Sequence, residues 1–435
     1  MIFPYIGAHP TITTDPSERV KYRSIKGTKD ILPGDVEAWQ HLERTIQEVM
    51  QTYQYREIRT PAFESTALFS RSIGELTDIV SKEMYTFIDR SQESLTLRPE
   101  GTAAVLRSYI QNSLADTSPL TKLYYIGPMF RQERPQAGRL RQFHQYGAEV
   151  IGGQDPILDA DIIHLALQVN RALGLHQFSL RVNSVGCERC RPAYRTILTT
   201  FLAERTAELS DESKARLELN PLRVLDSKDE RDRKATAKAP LMKDHLCAEC
   251  RTHFEQLQEI LRHTGTPFEV DGRLVRGLDY YTKTAFEITS PLLGAQDALA
   301  GGGRYDLLIE QLGGKPTPAV GFAAGVERLL IALSKQNSLP GISPGPRLYI
   351  VALGDAARQW AFRKALELRN KGYAVEMDFL GRSIKAQMRD ANRSQATRVL
   401  VVGDNELAQG SFQLKEMASG QETVVSESQI ESHLG

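Results

Sequence analysis

The stretch GPMFRQERPQAGRLRQFHQYGAEVIG, residues 127–152, crowds Arg131, Arg134, Arg139 and Arg141 into eleven residues with one carboxylate, Glu133, among them. Phe130 and Phe143 flank the cluster, and Gln145 and Glu149 follow it. A guanidinium is a planar fork that grips phosphate through two charge-assisted hydrogen bonds. Extended residues alternate faces, so Tyr125, Gly127, Met129, Arg131 and Glu133 share one side of an incoming strand. Arg141, Phe143, Gln145, Gly147 and Glu149 share one side of a returning strand. Pro135-Gln136-Ala137-Gly138 is turn chemistry and joins the two as a hairpin. At ~3.3 Å per residue, Gln145 and Glu149 lie about 13 Å apart, room for a small zwitterion between two reaching side chains. The plainer reading is an arginine-rich surface hairpin. Apolar flanks and the isolated downstream carboxylate speak against it.

Three further segments carry reactive side chains. TLRPEGTAAVLRSY places Glu100 and Thr102 just ahead of a helix, where Glu100 is also a favoured first-turn carboxylate. LVRGLDYYTKTAFEI gathers Arg276, Asp279, Tyr280 and Tyr281 around a glycine, and AVGFAAGVERLL brings Glu327-Arg328 to the start of an amphipathic helix. No G-x-x-x-x-G-K-[ST] loop is present, and GGGRYD lacks G-x-G-x-x-G spacing. A nucleotide here must be held mainly by arginines. The four cysteines form two C-x-x-C pairs, Cys187/Cys190 and Cys247/Cys250, with 56 residues between them. Such pairs suit a tetrahedral structural zinc site; a disulfide is the lesser alternative in a cytosolic chain.

Composition limits the classes of function. The 435 residues predict two or three domains, and 54 basic residues balance 54 acidic ones. Nucleic acid would therefore be met by local patches rather than a global field. No apolar run reaches the ~18–20 residues of a membrane span. The first 24 residues lack the pattern of a signal peptide and read as an extension, so the chain is expected in the cytoplasm.

The positioning elements follow from periodicity. Trp39, Leu42, Ile46, Val49, Met50 and Tyr53 make one stripe of a helix over about 36–53 behind an Asp35 N-cap. Strands are predicted at YREIRTP, 84–89, 95–97, 122–129 and 143–151, and helices at 102–111 and 157–173. Hairpins with few crossovers argue for an antiparallel sheet. From about 188 to 265 the pattern turns helical and charged, an insertion in which DSKDERDRKATAKAP (226–240) reads as solvated surface. Strands resume at 268–270, 274–275 and 284–289, then a helix at 326–333. SKQNSLPGISPGPR is a linker. Beyond it RLYIVAL, a helix near 356–371, YAVEMDF, a helix near 384–393 and RVLVVG alternate as a small, mostly parallel α/β domain. The chain thus reads as 1–24, 25–340 and 346–435.

Taken in order, IKGTKDILPGD, TLRPEGT, the arginine hairpin, NPLRVLDSK, LVRGLDYY, AGGGRYD, PAVGFAAGVERLL and GRSIKAQM resemble the class II aminoacyl-tRNA synthetases, and within them the histidyl-tRNA synthetase family. The resemblance runs from about Ile25 to the C-terminus and implies an α+β fold. It comprises an antiparallel-sheet catalytic core, a helical insertion and a C-terminal anticodon-binding α/β domain. It also implies L-histidine, ATP with Mg²⁺ and tRNA-His as ligands. Arg131 resembles the arginine on the ATP α-phosphate, Arg276 a second arginine facing it, and Arg328 the γ-phosphate arginine. Glu133 and Phe143 match the residues on adenine. Glu100, Thr102 and Gln145 match those holding the substrate amino group, and Glu149 with Tyr281 the pair on the imidazole, Tyr280 lying in the same pocket. Arg134, Gln136, Arg139 and Arg141 fall in the loop that approaches the tRNA acceptor end. Pro61 falls at the family's homodimer interface. Not every member carries the four cysteines.

Two rivals stand beside this reading. One is the non-catalytic paralogue that regulates ATP phosphoribosyltransferase, which typically lacks parts of the arginine set and the C-terminal domain. The other is a zinc-dependent RNA-binding protein, which leaves the carboxylates and tyrosines without a task.

Overall fold

In a computed structural model the described residues run from 22 to 434, apart from 75, 76, 78, 137, 276, 277, 279, 295 and 340–344. Most of the N-terminal extension, Arg276 and Asp279 of the RGLDYY segment and the middle of the linker therefore lie outside them. The chain divides into two compact units at Pro340/Gly341.

The first unit is built on an eight-stranded sheet ordered Arg56–Glu57, Thr121–Phe130, Gln142–Ile151, Ala319–Gly325, Ala298–Arg304, Thr282–Thr289, Ser179–Gly186 and Glu269–Val270. The six central strands pair antiparallel. Each edge ends in a two-residue parallel strand, a departure from the purely antiparallel expectation. YREIRTP contributes only Arg56–Glu57, and Leu274–Val275 forms no strand but a turn closed by Leu274 N–H to Asp271 O. Phe63–Ser65, Ser94–Leu97 and Tyr85–Ile88 make a separate three-stranded sheet.

Two central strands, AVGFAAG and ALAGGGR, escape recognition by propensity because glycine and alanine are poor strand formers. Packing requires them small: a Cβ on Gly302 would collide with the Gly321 carbonyl, and one on Gly321 with the Glu149 carboxylate. Helices Val36–Thr52, Pro156–Ala172 and Ala248–His263 pack in sequence beside this sheet. The Val36–Thr52 helix buries Leu42, Ile46, Val49 and Met50 as its stripe dictates. Asp35 does not cap it through its side chain; that carboxylate meets Lys29 at 3.1 Å instead.

The charged insertion is helical over Arg191–Ala203, Asp211–Leu219, Leu222–Leu225 and Glu230–Ala235. It shares one core with the sheet, since Tyr194, Leu198, Leu202 and Val224 join the same apolar cluster as Ile162, Leu165 and Phe286. The solvated reading of 226–240 is overturned by Asp232, which is fully buried. Its carboxylate accepts from Ser210 N–H (2.7 Å) and from the hydroxyls of Ser210 (2.8 Å), Ser213 (2.6 Å) and Ser227 (2.6 Å). Burial opposes that charge, but these donors hold the carboxyl down at about 2. Alternation scans cannot see such a cluster, because its partners lie on two other segments, at 210–213 and at 227.

Arg304 is fully buried and ties the unit across its layers. Its Nε sits 3.1–3.2 Å from the Asp159 carboxylate oxygens, its Nη2 closes the fork, and Nη1 donates to Gly153 O at 2.8 Å. His253 Nε2 of the insertion helix lies 3.3 Å from Asp159.

In the second unit Val375–Met377, Leu348–Ala352 and Arg398–Val402 pair in parallel, covered by helices Asp355–Asn370 and Ile384–Arg393. The β-α-β-α-β reading stops short of an antiparallel hairpin, Ser411–Glu416 with Glu422–Ser426, added at one edge. Among the described residues no helix is long and apolar enough to cross a membrane.

Removing one partner of a buried ion pair strands the other charge. Arg304→Ala should lower unfolding stability by about 3–5 kcal/mol, seen as a lower urea midpoint for the first unit. A loss under about 1 kcal/mol would show that Asp159 needs no countercharge.

Candidate active site

A cavity of about 840 Å³ opens over the sheet, floored by Gly301, Gly321, Ala323 and Gly325, where glycine and alanine leave the backbone bare. The hairpin forms one wall. Its register sets Gly127 opposite Gln145 and Met129 opposite Phe143, so the alternating residues do share a face. The turn is tight: Gln136 and Arg139 exchange backbone hydrogen bonds of 3.0 and 2.9 Å around Gly138, whose φ of +73° suits glycine.

At the phosphate-like end, Glu133 lies 3.7 Å from Arg131 and 3.3 Å from Arg139. Arg131 donates through Nε to Pro99 O at 2.9 Å, and its guanidinium stands 5.2 Å from the Phe143 ring centroid. Arg328 reaches in from the following helix, donating to Gly138 O (3.2 Å) and Ala298 O (2.8 Å). Burial lowers the Arg328 pKa, and the like charges of Arg139 and Arg131 add to this against Glu133. Three guanidiniums against Glu133 and Glu287, whose field also reaches Arg328, leave positive charge in excess, which a polyanion would neutralise. Glu327 is not part of that balance: it accepts from His144 N–H (2.9 Å) and faces His144 Nδ1 at 3.0 Å, fastening the helix to the hairpin.

At the other end lies a nest of carboxyls and hydroxyls. Glu149 is fully buried and lies behind the lining residues, with Thr102 Oγ1 donating to it at 2.8 Å and Tyr305 OH closing on its other oxygen. Burial pushes its carboxyl up to about 8, against the pull of the Tyr305 and Thr102 hydroxyls. Glu100 accepts from Thr102 N–H (2.6 Å) and Ala103 N–H (2.9 Å), so its first-turn role is real, and it lines the cavity as well. Burial raises its pKa in spite of those N–H donors. Gln145 lines the cavity with a buried Oε1 that lacks a hydrogen bond. Tyr305 meets both Tyr280 and Tyr281 edge to face, and those two rings are tilted against each other.

Of the site residues read from the sequence, Glu100, Thr102, Arg131, Glu133, Arg139, Phe143, Gln145, Tyr280, Tyr281 and Arg328 line this one cavity. Arg276 lies outside the described residues. Arg134 and Gln136 are exposed at the hairpin tip. Arg141 departs from the floor that alternation gave it: its side chain packs on Gly27 and its N–H donates to Gly27 O at 2.7 Å. Pro61 is exposed, and Arg98, buried beneath it, donates to the Thr60 carbonyl at 2.8 Å. Tyr305 was missed. It stands within the GGGRYD run itself, but its partner Glu149 is 156 residues away, beyond any local spacing. Also missed was the outer wall, where Ser227 and Lys228 of the insertion join the lining and Lys228 meets Asp297 at 3.6 Å.

The four cysteine sulfurs converge within 4.8 Å of one another, with Cys187–Cys190 at 3.6, Cys190–Cys250 at 3.7 and Cys187–Cys247 at 3.8 Å. A disulfide needs about 2.05 Å. Four ~2.3 Å zinc–sulfur bonds in a tetrahedron set sulfurs roughly 3.8 Å apart, which is the spacing found. Burial works against a thiolate at Cys187, yet the backbone N–H groups of Arg189 and Cys190 bring it down to about 6.

Residues 27–329 match the family model described as histidyl-tRNA synthetase, and residues 347–434 match that of an anticodon binding domain. A curated histidine–tRNA ligase of Geobacter metallireducens is 50% identical, covering 92% of this chain and 96% of its own. That of Chloroherpeton thalassium is 51% identical over 94% and 97%. The crystal structure of apo S. aureus histidyl-tRNA synthetase superposes with a TM-score of 0.81 at 37% identity, covering 95% of this chain and all of that one.

The Glu149 carboxyl gives a pH signature. Its folded pKa, about 8, lies above the ordinary carboxyl value of 4.5, so its contribution is intact below about pH 4.5 and is lost as pH rises through about 8. The ligand-free protein should lose stability between about pH 5 and pH 8, and Glu149→Gln should flatten that slope. Equal slopes in the two proteins, by denaturant titration, would count against a buried neutral carboxyl.

Proposed function

Since the chain belongs to the histidyl-tRNA synthetase family, we propose that this cavity joins L-histidine to ATP and then passes the histidyl group to tRNA-His. The observation that carries the reading is the pairing of an arginine-rich end with a buried carboxyl–hydroxyl nest across one cavity. The regulatory paralogue is not favoured: the curated relatives of about 50% identity over nearly their whole length are named histidine–tRNA ligases, and the chain matches the anticodon binding domain. An RNA-binding module alone gives the nest no task.

In this reading the imidazole enters against Glu149, with Tyr305 and Tyr281 beside it, and the amino group meets Glu100, Thr102 and Gln145. A site built of buried polar groups rejects side chains that leave them unpaired. The histidine carboxylate attacks the α-phosphorus, and pyrophosphate leaves with the electron pair of the broken P–O bond. Both reactants are anions at the reacting centre, so Arg131, together with Arg276 as the family resemblance implies, screens their repulsion and holds them in line. Arg328 takes the far phosphate, while Glu133 and Phe143 take adenine. Glu287, a cavity carboxylate whose field reaches Arg328, would hold a Mg²⁺, which would supply further countercharge to the phosphates. A ribose hydroxyl of the tRNA end then attacks the acyl carbon, the bond to phosphate breaks and AMP leaves, with Arg134, Gln136, Arg139 and Arg141 on the tRNA's approach. The cysteine knuckle is a structural Zn²⁺ site that pins the two ends of the insertion. The working form is a cytoplasmic homodimer, supported by the exposed Pro61 and by Phe63, Phe87 and Ile88 on the small sheet.

Histidine-dependent ATP–pyrophosphate exchange tests the reading directly. The protein should exchange with histidine alone among the amino acids, and Arg131→Ala should slow it by about 100-fold or more. No exchange in folded protein at saturating ATP would sink the assignment. Metal analysis of protein purified without a tag should find about one zinc per chain, lost in Cys250→Ser. Only a trace of zinc would exclude the structural-zinc role.

A further inference from the structure

The cysteine knuckle is joined to the carboxyl–hydroxyl nest by two polar connections that the proposed chemistry does not use. The first is Arg191, immediately after Cys190. Its Nε donates to Val185 O at 3.0 Å and its Nη2 donates to the backbone carbonyl of Tyr281. The second is a chain of ion pairs. Arg189, between the first two cysteines, pairs with Glu249, between the other two. Glu249 meets Lys283 at 3.1 Å, Lys283 meets Asp306 at 3.4 Å, and Asp306 meets Arg304 at 3.2 Å. Asp306 adjoins Tyr305, whose hydroxyl closes on Glu149, and its N–H donates to Thr282 Oγ1 at 3.1 Å.

Lys283 is the hinge of this chain. It is buried, and it takes a left-handed φ of +50°, where a side-chain-bearing residue is strained. It sits at a register shift, opposite Gly186. Burial disfavours its ammonium, but Asp306 and Glu249 outweigh that and raise its pKa. A strained backbone held by two carboxylates from opposite directions is over-determined. The two residues immediately before Thr282 and Lys283 are Tyr280 and Tyr281.

We propose that Arg191 and Lys283 are positioning residues, through which the cysteine knuckle fixes the tyrosines and the Glu149 carboxyl that receive the histidine side chain. This rests on reading that nest as the imidazole pocket. The insertion end is then part of the specificity apparatus for the amino acid. ATP, held by arginines on the hairpin and on the Val326–Lys335 helix, is independent of it.

The test compares zinc-loaded wild-type enzyme with Lys283→Met, Arg191→Gln and Arg191→Lys. Each is assayed for KM of histidine and of ATP in pyrophosphate exchange, with zinc content and histidine affinity by calorimetry alongside. Lys283→Met and Arg191→Gln should raise the histidine KM and Kd by about tenfold, with ATP KM within about twofold and zinc retained. Arg191→Lys keeps the charge but loses the fork, so it should fall between. Equal rises in both KM values, or no change in either, would overturn the proposal. If Arg191→Gln fails to fold, Lys283→Met and Arg191→Lys decide by the same criterion. A wild-type protein without histidine-dependent exchange would overturn both this and the function it rests on.

Discussion

A carboxyl at the centre of a sheet needs room and partners, and Glu149 dictates both. It has no cation within ion-pairing distance among the described residues, so hydroxyls must satisfy it, one from the helix start at Thr102 and one from Tyr305 at the end of a facing strand. The strands opposite must be bare, because any side chain at Gly321 would occupy the volume of the carboxyl group. A glycine-poor floor and this buried acid cannot coexist. The cavity is open to a ligand for the same reason: the floor residues have no side chains to fill it.

That requirement separates what the residues disclosed from what they hid. Helices with a clean stripe, such as Val36–Thr52 and Thr102–Gln111, lie within a residue or so of where periodicity places them. The arginine hairpin pairs in the register that alternation demands. The strands Ala319–Gly325 and Ala298–Arg304 are absent from the elements that periodicity predicts, since local propensity for glycine and alanine points away from a sheet. Long-range contacts explain their composition: the Glu149 carboxylate at Gly321, and the neighbouring strand's backbone at Gly302. Motif order identified the family; composition and period alone gave an arginine-rich hairpin and an unassigned carboxylate.

The insertion teaches the complementary lesson. Its run of charges has no apolar face, and surface is the reasonable reading of such a run. Yet Asp232 lies inside, because four donors from two other segments offset its desolvation. The cluster sets Ser227 and Lys228 in the cavity wall, so the insertion is a wall of the site rather than an appendage. Charge in a sequence reports solvent only until enough hydrogen-bond donors are counted.

The Arg304–Asp159 pair joins strand, helix and insertion at a point sealed from water. Hydration of ions becomes less favourable on heating, whereas apolar burial gains little more per unit area. The penalty for keeping these two charges dry therefore shrinks as temperature rises. The seam between sheet and insertion grows relatively firmer in the range where the rest of the unit begins to soften.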